Sequence, residues 1–252
     1  MTSKLFDLTG KTAIVSGANT GLGQGIALAL GSAGAAVVGL SRSDDAETAA
    51  QMQALGYAYH GIRADLKDYL VVDKVISEVI EKFGGFNILV NNAGIIRRAE
   101  ALDFSMEDWQ DVLDINLKSL FYFCRQAGRH FLANGGGKII NIASLLSFQG
   151  GIRVPAYTAA KSAVKGLTMA LANEWAGKGI CVNAIAPGYF VTNNTQAIRE
   201  DPKRYEAILA RIPAERWGQP SDLAGAVIFL ASPASDYVHG ITLPVDGGWL
   251  GR

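Results

Sequence analysis

Short runs of consecutive apolar residues alternate along this chain with longer segments whose apolar positions recur every three or four residues. TAIVSG is followed by TGLGQGIALALGSAG, AAVVGLS by DDAETAAQMQALG, YHGIRADL by LVVDKVISEVIEKFG, and NILVNNAG by SMEDWQDVLDINLKSLFYFCRQAGRHFLA. The alternation continues through KIINIAS, a helix from about Pro155 to Ala176, GICVNAIAPG, SDLAGAVIFLAS and ITLPVDGG. Runs such as NILVNN and KIINIA are apolar at successive positions, as strands covered on both faces must be, whereas a period near 3.6 marks amphipathic helices. Strands alternating with helices predict right-handed βαβ units. The expected architecture is therefore α/β, a doubly wound parallel sheet with helices on both faces.

One stretch breaks the pattern. From Ala186 to about Gln219 the chain reads APGYFVTNNTQAIREDPKRYEAILARIPAERWGQ, rich in polar residues and punctuated by prolines, between two core elements. Ligands of doubly wound sheets bind beyond the carboxyl ends of the strands, so residues 188–219 are expected to form a small helical lid there. No linker or low-complexity tract divides the 252 residues, and a single domain over 1–252 is the expectation.

Charge narrows the partners. Lys plus Arg and Asp plus Glu both number 23, and no basic run is longer than Arg97-Arg98, which argues against a nucleic-acid partner and for a small-molecule ligand. Cys124 and Cys181 each lie in apolar stretches and are expected to be buried thiols in a reducing, cytoplasmic protein. The first residues, MTSKLFDLTG, lack a signal design, and charged or glycine residues interrupt every apolar run before membrane-spanning length, so no membrane partner is expected. His60, His130 and His239 are too scattered in sequence to suggest a metal site, and none is expected.

The turn after the first strand, SGANTGLGQGIA, carries Gly17, Gly21 and Gly23 in the spacing G-x-x-x-G-x-G, with Asn19, Thr20 and Leu22 between them. Glycines allow a tight turn and a close backbone approach to a pyrophosphate, which would meet the free N–H groups and positive end of the following helix. This is a variant of the dinucleotide fingerprint and makes the domain a single-domain Rossmann fold. Gly10-Lys11-Thr12 imitates the end of a nucleoside-triphosphate loop, but it precedes the strand, and Leu5 stands where that loop requires its first glycine. At the end of the second strand, VVGLSRSDD, Ser41 stands about where an acid would favour NAD, and Arg42 follows. The coenzyme is NAD or NADP, with Arg42 leaning towards NADP and Asp44 and Asp45 opposing a phosphate.

Residues 157–166, YTAAKSAVKG, place Tyr157 and Lys161 one helical turn apart on one face. Alone, the pair reads as a surface tyrosine beside a solvated lysine. With the glycine turn, NNAG at 91–94, and a serine closing IINIAS, in that order, the chain resembles the short-chain dehydrogenase/reductase family over essentially its whole length. The resemblance implies that Asn116, Ser144, Tyr157 and Lys161 form the catalytic group. It also implies that Asp65 and Leu66 lie near the adenine, that Asn92, Ala93 and Gly94 support the coenzyme, and that Pro187, Gly188, Phe190 and Thr192 lie beside the nicotinamide. The chemistry suits these residue types. Interconverting a secondary alcohol and a ketone needs a group that takes or gives the hydroxyl proton, and free tyrosine titrates near ~10; bringing it to ~7 requires about 4 kcal/mol of preference for phenolate. The positive charge of Lys161 is the expected dominant influence. Ser144, at the mouth of a strand, could orient the substrate oxygen, although many strands simply end in serine. Asparagine is a poor helix former, so Asn116 in DINLKS has an unusual local role, which the resemblance makes part of a proton relay from Lys161.

Within the family, NNAGIIRRAEAL, IASLLSFQGGIRVPAYTAAK, APGYFVTNNTQAIR and VDGGWLGR resemble members that act on sugar acids, the keto-deoxy uronates. A carboxylate suits a planar guanidinium. Arg97 and Arg153 are expected to border the active mouth, with Gln149, Asn193 and Asn194 available for hydroxyls; one of Arg97 and Arg98 could instead pair with Glu100. A 3-oxoacyl-thioester reductase of the same fold is the alternative enzyme, and a non-catalytic coenzyme-sensing protein the alternative of another class. Apolar residues around the helices bearing Leu120, Phe121, Phe123, Leu167, Met169 and Leu171, with the resemblance, imply a homotetramer.

Overall fold

The computed structural model describes residues 2–252. Seven strands follow the apolar runs: β1 (Thr12–Ser16), β2 (Ala36–Ser41), β3 (Tyr59–Arg63), β4 (Ile88–Asn91), β5 (Gly137–Ile142), β6 (Ile180–Pro187) and β7 (Thr242–Val245). They form one parallel sheet in the order β3-β2-β1-β4-β5-β6-β7. Every residue of β1, β4 and β6 is buried, which is why these strands are apolar without alternation. Strand β3, at one edge, buries only Ile62 and carries polar residues between. The chain reverses its direction of growth between β1 and β4, and that switch point opens the crevice in which a ligand of such a sheet binds.

The helices are α1 (Thr2–Leu5), α2 (Gly21–Ser32), α3 (Ala46–Ala54), α4 (Val71–Phe83), α5 (Met106–Leu113), α6 (Ser119–Ala133), α7 (Pro155–Trp175), α8 (Gln196–Arg199), α9 (Pro202–Leu209) and α10 (Ala224–Ala231). Two cores sandwich the sheet. Val75, Val79, Phe123, Phe131 and Leu171 from α4, α6 and α7 pack on one face, and Ile26, Leu30, Val227 and Leu230 from α2 and α10 pack on the other. Ser105 accepts a hydrogen bond from the Asp108 amide to start α5, and Pro155 opens α7, where its missing N–H costs nothing. Leu120, Phe123 and Leu171 are core residues, so only Phe121 (42% exposed) and Met169 (44%) remain as apolar surface among the residues singled out on α6 and α7.

Two features depart from the periodic reading. The helix expected over SMEDWQDVLDINLKSLFYF is interrupted by a π turn at Asp114–Lys118, which separates α5 from α6. Residues 193–212 fold into a short 3-10 turn, α8 and α9, and their apolar side chains form a separate small cluster in which Ile198, Ile208 and Ile212 pack with Trp217, Trp249 and Leu145. Both cysteines are buried free thiols, and no helix among the described residues is long and apolar enough to cross a membrane.

Candidate active site

The glycine turn sits at the carboxyl end of β1. Gly17 and Gly21 have φ of 69° and 56°, the left-handed region, and a Cβ on Gly23 would fall 1.9 Å from the Gly17 carbonyl oxygen. The second side chain is thus excluded by the approach of α2 to its own preceding loop. Thr20 stands at the N-cap of α2 without using its side chain as a cap, so the first amides of the helix face the crevice for an anion. Asn92 holds the turn from across the sheet: its Nδ2 donates to the carbonyls of Ser16 (2.9 Å) and Gly17 (3.2 Å).

Two connected hollows follow this edge. In one, Gly17, Asn19, Thr20, Gly21, Leu22 and Gly23 face Asn92, Ala93, Gly94 and Thr192, with Tyr157 and Lys161 at its far end. Asn193 and Asn194 border the same hollow, with Asn194 also reaching the next cavity. The other runs out between β2 and β3, where Ser41, Arg42, Asp65 and Leu66 line it together with Ser43. These shapes fit a dinucleotide: a glycine cradle and helix N-terminus for the diphosphate, and a separate slot for the adenosine end. The Ser41 hydroxyl donates to the Ser43 carbonyl (3.0 Å), while Asn19 donates to the Ser43 hydroxyl (2.9 Å). Asp45 turns away and accepts a 2.6 Å bond from the Tyr59 hydroxyl, which removes one of the two acids that would oppose a phosphate beside Arg42. Phe190 lies elsewhere than expected. It is buried in the core cluster that holds Ile26 and Leu223, with its ring against Gly218, and it does not line the crevice.

Tyr157 and Lys161 project from the first turns of α7. Lys161 is 3% exposed, and its Nζ donates to the Ile142 carbonyl (2.6 Å) at the end of β5 while lying 5.6 Å from the centre of the Tyr157 ring. Burial depresses its pKa to about 8. Tyr157 is raised by burial above the ordinary phenol value, and the Ser144 hydroxyl and the Arg98 guanidinium pull it back. Burial is the largest influence on the Tyr157 phenol, and the cation that draws it back is Arg98. Ser144 caps the 3-10 turn Leu145–Ser147, its Oγ accepting from the Leu146 amide (3.2 Å). Ser147, unremarked in the sequence, ties this turn to α7 by donating to the Lys161 carbonyl (2.6 Å) and accepting from the Ser144 amide (3.3 Å). Asn116 lies in the π turn, fully buried. Its side chain accepts from the Ile95 amide (2.8 Å) and donates to the Ile95 carbonyl (2.9 Å), which fixes the chain just beyond Gly94. π turns of one interrupted helix recur at functional sites, and this one turns an asparagine side chain toward the strand end.

Beyond Tyr157 and Ser144 a cavity of about 370 Å³ opens towards the solvent. Pro187, Gly188 and Gln149 line it; Gln149 also accepts from the Trp249 indole N–H (3.3 Å). The arginines expected there do not face it. Arg97 reaches Asp108 (3.1 Å) and Arg153 reaches Glu100 (3.2 Å), both as exposed surface ion pairs. Ile96 and Arg98 line the cavity while Arg97 is drawn to Asp108, and Ile152 and Val154 line it while Arg153 is drawn to Glu100. The Arg153 backbone, at φ 64°, takes a left-handed turn rare for a residue with a side chain. The cationic lining comes instead from Arg98, Arg204 and Arg211, and among the described residues no Asp or Glu lines the cavity. Arg98 is the sequence neighbour of an expected residue; Arg204 and Arg211 lie in the 188–219 segment, where no motif marked them. Among the described residues no His, Cys, Asp and Glu side chains cluster as metal ligands.

The chain matches the family model described as "Enoyl-(Acyl carrier protein) reductase" over residues 17–250. It is 56% identical over 248 residues to a 2-dehydro-3-deoxy-D-gluconate 5-dehydrogenase of Escherichia coli (strain K12), covering 98% of each chain. It is equally 56% identical over 248 residues to a protein of the same name from Bacillus subtilis (strain 168), covering 98% of this chain and 97% of the relative. Among solved structures, a gluconate 5-dehydrogenase from Burkholderia cenocepacia J2315 in complex with NADP and tartrate superposes with a TM-score of 0.96 at 39% identity, over 100% of both chains.

Proposed function

The chain belongs to the short-chain dehydrogenase/reductase family and is an NAD(P)-dependent oxidoreductase acting on a CH–OH group; from that premise we propose that its substrate is a deoxy sugar acid. The reaction interconverts a secondary hydroxyl and a ketone on a 2-keto-3-deoxygluconate or 4-deoxy-5-keto-uronate type of molecule. One observation carries this reading: the cavity that opens on Tyr157 and Ser144 is lined by three arginines and no carboxylate, so it suits an anionic, hydroxylated ligand. The names of the relatives point the same way.

Tyr157 is the acid and base of the proposed reaction. In the reductive direction its phenol O–H gives its proton to the oxygen that becomes the hydroxyl; in the oxidative direction its phenolate takes that proton back. Ser144, beside it, holds the same substrate oxygen and fixes its direction. Lys161 supplies a buried positive charge one turn along and keeps the phenolate accessible, and Asn116 fixes the wall formed by Gly94 and Ile95. The nicotinamide coenzyme, held along the glycine turn and against Asn92–Gly94 and Thr192, supplies or accepts the hydride when bound. Arg42 and Ser43, with Asp45 turned away, favour a 2′-phosphate in the outer slot and hence NADP. The 188–219 segment acts as the lid of one domain, the exposed Phe121 and Met169 support assembly into a homotetramer, and two free thiols suit the cytoplasm.

The test is a coenzyme-oxidation assay with purified protein. Keto-deoxy uronates and a 3-oxoacyl thioester are each supplied with NADH and with NADPH. The uronates should consume coenzyme at least a hundredfold more efficiently than the thioester, and NADPH should be preferred. A thioester that is turned over better than any uronate overturns the substrate assignment.

A further inference from the structure

Three arginines around one cavity, with no carboxylate to balance them, repel each other until an anion arrives. Two of them reach it from different elements. Arg98 stands on the segment that leaves β4 and is anchored through Ile95 to Asn116; Arg204 stands on α9 in the 188–219 segment. Arg211 is already engaged, with its guanidinium 4.1 Å over the Trp249 ring. Arg98 spends one N–H on the Asn194 carbonyl (3.1 Å), and the rest of its planar fork remains for the cavity. Neither Arg98 nor Arg204 has an acidic partner within ion-pair distance among the described residues, whereas Arg97, Arg153 and Arg216 do. Burial first, and then the charge of Arg204, lower the proton affinity of Arg98, so the two cations oppose each other.

We infer that Arg98 and Arg204 are the two jaws of a carboxylate clamp, in which the acid group of the substrate bridges them and seats α9 over Tyr157 and Ser144. The inference rests on the sugar-acid reading and adds which residues hold the acid and what the acid does to the lid. A ligand shifts a conformational equilibrium only by its difference in affinity for the two states. An open lid offers the carboxylate Arg98 alone; a closed lid offers both guanidinium forks, so the charge of the substrate supplies that difference. Ile198, Ile208, Ile212 and Trp217 hold α8 and α9 together, with Tyr205 stacked on Trp217 at 5.5 Å, and the same cluster seats them on Leu145, next to Ser144, and on Trp249. A neutral substrate leaves two cations facing each other and is rejected, just as a site built for a polar group rejects a ligand without one.

The experiment compares Arg98→Met, Arg204→Met and, as a control outside the cavity, Arg153→Met, each with a keto-deoxy uronate and with its methyl ester. Coenzyme binding, followed by fluorescence, reports that each variant is folded. The KM for the acid should rise tenfold or more in both cavity variants and stay within twofold in the control. The KM for the ester should be high in the wild type and unchanged by either cavity variant. Amide hydrogen exchange across residues 196–212 should slow in the wild type on adding the acid, not on adding the ester, and in neither cavity variant. A wild type that uses the acid while both variants keep its KM within twofold, or that uses the ester as well as the acid, overturns the clamp. A wild type inactive on every keto-deoxy uronate overturns the sugar-acid reading itself, before any variant is made, and the clamp falls with it.

Discussion

The wall that carries Tyr157 and Lys161 and the wall that carries Arg204 and Arg211 face the same cavity, yet they are held by different means. The first is over-determined. The base of α7 lies on the fully buried end of β6, the Lys161 Nζ is bonded to the β5 carbonyl of Ile142, and Ser147 ties the Lys161 carbonyl to the Ser144 turn. The second wall consists of short helices held by a small apolar cluster that includes Leu145 and Trp249 from outside them. Groups that exchange a proton must be placed to a fraction of an ångström. Groups that recognise a substrate by charge tolerate motion and profit from it, because closing then depends on what has bound.

The contrast can be broken most severely at Tyr157. Tyr157→Phe removes the proton donor and acceptor without disturbing the ring's packing, so kcat should fall by about 10²–10⁴ while coenzyme affinity and thermal midpoint are retained. Comparable activity in that variant would sink the proposed role.

Lys161 gives the next largest effect, and one of mixed sign. Burial lowers its pKa from the ordinary lysine value of 10.5 to about 8, so the folded protein bears the cost of a buried charge at neutral pH. Below pH 8 both states are protonated and the cost is complete. From about 8 to 10.5 the unfolded chain holds more protons than the folded one, and this contribution to stability rises with pH until the cost is gone. Lys161→Met should therefore lower turnover, though by less than Tyr157→Phe does, yet stabilise the coenzyme-free protein at pH 7 by at most about 3 kcal/mol, less what the Ile142 carbonyl loses. Urea midpoints at pH 7 and pH 10 measure this; a gain that does not shrink at the higher pH would show that desolvation of Lys161 is not its source.

The smallest effect is expected at Arg153. Arg153→Gly relieves a left-handed backbone, worth roughly 1 kcal/mol, and loses an exposed ion pair of about the same size or less. The thermal midpoint should shift by no more than a few degrees and the KM should stay put. A large rise in KM would mean that Arg153 reaches the substrate after all.

The same two walls differ in how far the sequence discloses them. Consecutive apolar strands and the glycine turn are local patterns from which the sheet and the crevice follow, whereas the Tyr157–Lys161 spacing, Ser144 and Asn92 gain their meaning only from the order in which the motifs stand along the chain. The side-chain direction of a loop residue is not a matter of proximity to a motif. Arg97 and Arg153 lie beside the right segments, but each pairs with a surface acid, Asp108 and Glu100, while the neighbouring Arg98 lines the cavity. Arg204 and Arg211 have no such marker, because they belong to a segment whose fold depends on a cluster brought together from Leu145 to Trp249. The π turn is likewise silent in the pattern of apolar residues, which continues through it unbroken; only the misplaced Asn116 hints at a change of hydrogen-bond register.

That asparagine acts as a surrogate peptide. With one oxygen and one nitrogen it answers the amide and the carbonyl of Ile95, as the backbone of a neighbouring strand would, so the ladder of the sheet is prolonged past the last residue of β4 by a side chain. An aspartate in its place could accept from the amide but has no N–H for the carbonyl, and a leucine of similar volume answers neither. The position therefore reads a single chemical letter, and the path of the chain past Gly94, on which Arg98 depends, is written with it.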